Sequence, residues 1–256
     1  MISGILTSLS YGEEAKVIWL LALLICFSIY PQSTERIFSA DRFQVLNSAV
    51  RDGEISKVAA RDSFKVIINA IRSEYKHKVK ISAERGGIVF PLKGYSSHQI
   101  GGSNGSSYVP GNYNYFDGNR HTGHPSYDIF IYDRNQDVID DKTGKLVEVL
   151  SMSSGVVIAA DTGWKAGSDL RGGNYLWLFD PIHDYLYYYA HNHTIDVRIG
   201  DVITAGQRIA TVGRSGKNAH PKRSPTHLHL TVLTIKDDVP LPIRFFQELR
   251  TAKLIQ

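Results

Sequence analysis

Tyr175-Leu176-Trp177-Leu178-Phe179-Asp180-Pro181-Ile182-His183-Asp184-Tyr185-Leu186-Tyr187-Tyr188-Tyr189-Ala190-His191 is the stretch whose reading decides the architecture of this chain. Two apolar, aromatic-rich runs, Tyr175–Asp180 and Leu186–Ala190, flank a short turn containing Pro and Asp, the pattern of a β-hairpin. Working outward, similar short runs predict strands at Tyr127–Tyr132, Gly155–Ala160, Arg208–Val212 and His227–Leu233. Turn signals such as Arg198-Ile199-Gly200-Asp201 separate them, and no helix of useful length intervenes. That argues for an antiparallel sheet rather than a βαβ arrangement. The stretch from Gly94 to Gly118 is rich in Gly, Ser, Asn and Tyr and reads as a long irregular loop.

Upstream of residue 86 the texture changes. Phe43, Leu46 and Val50 recur at helical spacing, as do Phe64, Ile67, Ile68 and Ile71, with Asp52-Gly53 breaking the two runs. A helical hairpin over residues 34–85 follows, read as a packing or spacer element without chemistry of its own. Before it, Val17 to Tyr30 is an apolar run preceded by Lys16. A spanning helix needs about 20 apolar residues, whereas a signal-peptide core has roughly 7–15. Residues 1–33 are therefore expected to be a signal peptide, with an N-terminal membrane anchor as the alternative. An exported protein of the periplasm or cell envelope is the expected consequence. The body then runs over residues 86–256.

Composition excludes several classes. The only cysteine, Cys26, rules out disulfides and paired-thiolate metal sites. Lys and Arg number 29 against 25 Asp and Glu, without a dense basic run, so no nucleic-acid partner is expected. Ten histidines remain to be explained.

Three places put histidines beside suitable partners. In His124-Pro125-Ser126-Tyr127-Asp128, Pro125 disfavours a helix, and an imidazole and a carboxylate in a loop entering a strand can converge on one cation. In Thr226-His227-Leu228-His229-Leu230, a strand puts both imidazoles on one face and both leucines on the other. Tyr187-Tyr188-Tyr189-Ala190-His191 is an aromatic strand that ends in a third candidate. Read singly, each is also compatible with a solvated pair or a satisfied strand-end residue. Two imidazoles and a carboxylate together are a usual catalytic-zinc set.

In this order the motifs resemble the lysostaphin-type zinc endopeptidases of bacterial cell walls, including the LytM-like proteins. The similarity runs over roughly Gly118 to Leu233. It is carried by His124 to Asp128, the strand at Ser154-Gly155-Val156-Val157-Ile158-Ala159, and Tyr189-Ala190-His191. The glycine-bearing stretches Gly200 to Gln207 and Val212 to Gly216, and finally His227-Leu228-His229, complete it. The resemblance implies a mainly β fold, a compact antiparallel β-sheet lysostaphin-like (duplicated-hybrid-type) domain preceded by the short helical segment. It also implies Zn2+ held by His124, Asp128 and His229, with His191 and His227 managing the proton of an attacking water. The implied substrate is the peptide cross-link of peptidoglycan. A non-catalytic wall-binding or amidase-activating member, or a zinc hydrolase of another peptide, is the alternative.

Ser126, Tyr127, Asn192 and Leu230 depart from the family's usual residues, and Asn218 to Pro225 resembles an insertion. All are expected to border the groove and to bear on substrate preference. Among the other histidines, His121 could replace His124 in a different loop register, and His193 and His220 could face the cleft. His183 is expected in a turn, with His77 and His98 solvated. Trp164, Tyr175 and Trp177 are either groove walls or strand packing.

Overall fold

A computed structural model of the chain describes residues 38–83 and 87–256. The leader expected over residues 1–33, with Cys26, lies outside the described residues. Among the described residues, no helix is long and apolar enough to cross a membrane.

Among the described residues, ten strands form two sheets. The larger has β1 (Ser126–Phe130), β9 (His227–Lys236), β5 (Tyr185–Ala190), β4 (Tyr175–Asp180), β3 (Gly155–Asp161) and β7 (Val202–Ile203) in that order, with β10 (Val239–Pro242) also on β9. Every described pairing in it is antiparallel. The smaller sheet has the order β2 (Glu148–Leu150), β8 (Arg208–Val212), β6 (Asn192–Ile195). The expected mainly antiparallel β architecture is observed. The β4–β5 hairpin forms as read, Trp177 pairing with Tyr188. Its turn is closed by the buried Asp180, whose Oδ1 accepts from the backbone N–H of Ile182 at 2.8 Å and of His183 at 3.2 Å.

Strand alternation sorts the side chains of the large sheet into two apolar layers. Tyr127, Ile129, Leu176, Leu178, Tyr187, Tyr189, Leu228 and Leu230 face the small sheet and the C-terminal helix α3 (Phe246–Thr251). Val156, Ile158, Tyr175, Trp177, Phe179, Leu186 and Leu233 face the helical hairpin.

That hairpin is α1 (Ser39–Asp52) and α2 (Lys57–Ala83). Asp41 in the first turn of α1 accepts from the Phe38 N–H at 3.2 Å. Gly53 ends the helix at φ 75°, and the following N–H of Glu54 bonds back to the Ala49 carbonyl at 2.8 Å. Phe43, Leu46, Val50, Phe64, Ile67, Ile68 and Ile71 are buried, as their spacing predicts.

The hairpin does more than fill space. Its buried side shares one core with β3, β4 and β5, and it ends beside the site described below. Gly94 to Gly118 lacks strands, as expected, but carries short 3-10 turns at Ser97–Gln99, Ser103–Gly105 and Tyr115–Arg120. β2, β6, β7, β10 and α3 were not legible in the sequence. Each is six residues or shorter and takes its place from a neighbour rather than from periodicity.

Candidate functional site

The site is built on β9, between β1 and β5. The register places Asp128 opposite His229 on one side and Ala190 opposite His229 on the other. Because His227 and His229 alternate with the buried Leu228 and Leu230, both imidazoles stand on the face that the helical hairpin covers only in part. His124 enters from the loop before β1, fixed by a two-way backbone bridge to Val109.

His191 arrives differently. Continued alternation after Tyr187 and Tyr189 would aim it into the core between the sheets. At His191 the backbone instead turns to φ 65°, where the chain leaves β5 for β6. A non-glycine residue in this region costs roughly 1–2 kcal/mol. The turn is held by the His191 N–H donating to the Gly172 carbonyl at 2.9 Å.

The five predicted residues meet in one cluster. Asp128 Oδ1 lies 2.9 Å from His229 Nδ1 and 3.7 Å from His227 Nε2, and Asp128 Oδ2 lies 3.3 Å from His124 Nε2. The rings of His191 and His227 are 4.9 Å apart, and those of His191 and His229 5.4 Å. Among the described residues, two overlapping groups offer ligand atoms within 4.8 Å of one another: His124, Asp128, His229 and His191, His227, His229.

Backbone carbonyls set the tautomers. Nδ1 of His124, His191 and His227 lies 2.9, 2.8 and 2.7 Å from the carbonyls of Ser107, Ser215 and Pro225. A carbonyl only accepts, so Nδ1 carries the proton in each; Nε2 of His191 and His227 is left with its lone pair, whereas Nε2 of His124 faces the Asp128 carboxylate.

Electrostatics divides the cluster. Burial alone would raise the Asp128 carboxyl, but hydrogen bonds from His124 and His229 outweigh it and hold Asp128 well below the usual carboxylate range. His124 is raised by its bond to Asp128. Burial pushes His191 well below the ordinary imidazole value and lowers His227 as well. These environments favour the ionised carboxylate at Asp128 and the neutral imidazole at His191 and His227.

A cavity of about 120 Å³ adjoins the cluster, lined by His124, His191 and His229 together with Asn47, Val50, Arg51, Tyr113, Tyr188, Arg171 and Asn218, among others. The helical segment, read as without chemistry, thus supplies part of the wall. Asn47 Nδ2 donates to the Tyr175 hydroxyl at 2.9 Å, and Asn47 Oδ1 accepts from the Tyr115 hydroxyl at 3.1 Å. Tyr175 and Trp177 are both strand packing and wall. Trp164 is neither of these at the cavity; it lies 5.2 Å from His220, away from the lining.

The other expectations separate cleanly. His121 lines the cavity but joins neither ligand group; burial first, and the charge of Arg171 second, lower it to about 4. His193 and His220 are exposed and outside the lining, and His183 sits in its turn. His77 and His98 are both exposed, and His98 Nδ1 also meets the Ser96 hydroxyl at 3.1 Å.

Of the four departures expected to border the groove, only Ser126 lines it. Tyr127 and Leu230 point to the opposite face. There the Tyr127 hydroxyl accepts from the Phe245 N–H at 2.9 Å. Asn192 is buried, donating to the Tyr189 carbonyl at 2.9 Å. Within Asn218 to Pro225, Asn218 reaches the cavity, and Arg214 pins the rest through the carbonyls of Ser224, His220 and Pro221. Arg171, Tyr188, Asn47 and Arg51 were not singled out in the sequence for this site; no local pattern distinguishes them.

Residues 135–240 match the sequence pattern of peptidase family M23, a span that includes His191, His227 and His229 and begins after His124 and Asp128. The murein hydrolase activator NlpD of Escherichia coli (strain K12) is 35% identical over 104 residues, covering 35% of this chain and 26% of that protein. The chain thus spans about a quarter of that relative's length. Among solved structures, a glycyl-glycine endopeptidase LytM from Ruminococcus gnavus aligns at 18% identity and a TM-score of 0.45, covering 88% of this chain and 90% of that one. The catalytic domain of lysostaphin from Staphylococcus simulans aligns at 22% identity and a TM-score of 0.36, covering 50% and 80%. Over residues 135–240 the chain carries the sequence pattern of peptidase family M23, in keeping with the lysostaphin-type motifs.

Proposed function

We propose that this protein is a zinc-dependent endopeptidase that hydrolyses peptide cross-links of bacterial peptidoglycan. The observation that carries the reading is the completeness of the cluster: a carboxylate, two imidazoles beside it, and two further imidazoles with free Nε2 edges. The donor set fits zinc, which takes imidazole nitrogen and carboxylate oxygen and keeps a position open in catalytic sites. His124 through Nε2, Asp128 and His229 would hold it. Of the two overlapping groups, this one contains the carboxylate that offsets part of the ion's charge. Bound there, zinc supplies Lewis-acid polarisation of a carbonyl oxygen and acidifies water.

The remaining work belongs to this chain's own residues. His191 and His227 are buried and neutral, and each presents Nε2 with its lone pair toward the cluster. Such a group accepts a proton from the attacking water and, once protonated, donates to the developing oxyanion or returns the proton to the departing amine. The carbonyls of Ser215 and Pro225 hold each ring in the tautomer this requires. Murein as the substrate is supported by the name of the matching relative, and it fits an exported protein of the cell envelope.

The same name favours a second reading, in which the domain activates another murein hydrolase instead of cutting. Muropeptide analysis by mass spectrometry after incubation with peptidoglycan separates the two, with His229→Ala as control. Loss of cross-linked dimers with the wild type alone supports the endopeptidase. An unchanged digest from zinc-loaded protein refutes it and leaves the activator.

A further inference from the structure

The cavity beside the histidine cluster is lopsided in charge. Its lining includes two arginines, Arg51 and Arg171, and no aspartate or glutamate. Arg51 is neutralised where it stands, 2.7 Å from Asp52 and 2.5 Å from Asp161. Arg171 is not. Its Nη1 donates to the His121 carbonyl at 2.9 Å, and among the described residues it forms no ion pair. The carboxylate nearest in sequence, Asp169, is engaged by Lys217.

The position of Arg171 is nonetheless well defined. Its backbone N–H donates to Asn119 Oδ1 at 3.3 Å, and the next residue, Gly172, accepts from the His191 N–H at 2.9 Å. Gly173 has φ 65°, and a side chain there would run into the backbone of Ser215 and Gly216. The loop carrying Arg171 is therefore braced against both His191 and the segment that orients its ring. A guanidinium held at the wall of a cavity, with donors to spare and no anion inside the protein, is arranged for an anion from outside. Its planar fork matches a carboxylate in particular.

We propose that Arg171 recognises a free carboxylate on the peptide substrate and so selects acidic cross-link peptides over neutral ones. The proposal rests on the endopeptidase reading for the identity of the ligand as a peptide. It makes Arg171 a binding residue that sets specificity, outside the proton chemistry. The selectivity is expected at roughly tenfold or more, the usual weight of a charge-assisted hydrogen bond that one ligand makes and the other lacks.

The test uses the zinc-loaded full chain and two synthetic cross-link peptides that differ only in a free carboxylate against a carboxamide. Binding is read by calorimetry and hydrolysis by kcat and KM, for the wild type, Arg171→Gln and Arg171→Lys. The wild type should prefer the carboxylate. In Arg171→Gln the preference should vanish, with KM rising and kcat largely kept, while Arg171→Lys should recover part of it. A purely structural role would lower kcat for both peptides alike and would not be rescued by lysine in a carboxylate-dependent way. Equal binding of the two peptides by the wild type, or a preference that survives in Arg171→Gln, overturns the proposal. If neither peptide is cut but the carboxylate preference still depends on Arg171, the endopeptidase reading fails and carboxylate recognition stands.

Discussion

Phe64→Ala is the sharpest test of how the helical hairpin and the histidine site are joined. Phe64 is fully buried on α2, with its ring 6.0 Å from Phe43, 5.8 Å from Tyr115 and 5.9 Å from Phe116. Tyr115 in turn meets Trp177 of β4 edge-on at 5.8 Å and donates to Asn47 at the cavity wall. Truncating a buried Phe costs about 3–5 kcal/mol through lost transfer energy and the cavity left behind. At roughly 2–4 °C per kcal/mol for a unit of this size, Tm should fall by about 6–20 °C. Differential scanning calorimetry reads this directly, and the loss should appear in a single transition, because the hairpin and the large sheet share one core. Zinc stoichiometry should be unchanged, since none of the proposed ligands lies on the hairpin. A Tm shift below about 2 °C, or a separate low-temperature transition for the helices beside an unmoved main one, would refute the shared core.

Three further outcomes are expected. His124→Ala and His229→Ala should each lose bound zinc, measured by elemental analysis of dialysed protein, whereas retention by His124→Ala would move the site to the all-histidine group. His191→Ala and His227→Ala should keep zinc yet lose hydrolysis by about 10²–10⁴-fold, the range for a general acid–base residue, so activity within threefold of wild type would exclude them from the proton chemistry. Gly118→Ala should lower stability and disturb the cavity wall. Gly118 has φ 54°, and an added Cβ would overlap the Val50 carbonyl oxygen at the end of α1; an unshifted Tm would contradict that packing.

Much of the fold was open to reading because its signals are local. The β4–β5 hairpin, the strand at Arg208–Val212 and the break at Asp52-Gly53 each rest on a few adjacent residues, and each forms where expected. The same holds for part of the site. A period of two is enough to put His227 and His229 on one face and Leu228 and Leu230 on the other. The two glycine-containing stretches before β9 contribute differently: their value lies in the loops they allow, which pattern alone does not place.

The sequence by itself determined the mainly antiparallel β class, the motif order of peptidase family M23 and the five residues worth testing. Tertiary structure alone decided that these five meet. Asp128 and His229 are 101 residues apart, and their contact depends on which strands pair and in which register. It also decided that His191 faces the cluster, through a left-handed backbone turn that overrides strand alternation. The hairpin at the cavity wall and the unpaired guanidinium of Arg171 belong to the same class of fact. Periodicity reports which side chains share a face of one element, whereas a groove is made where faces of different elements are brought together by packing.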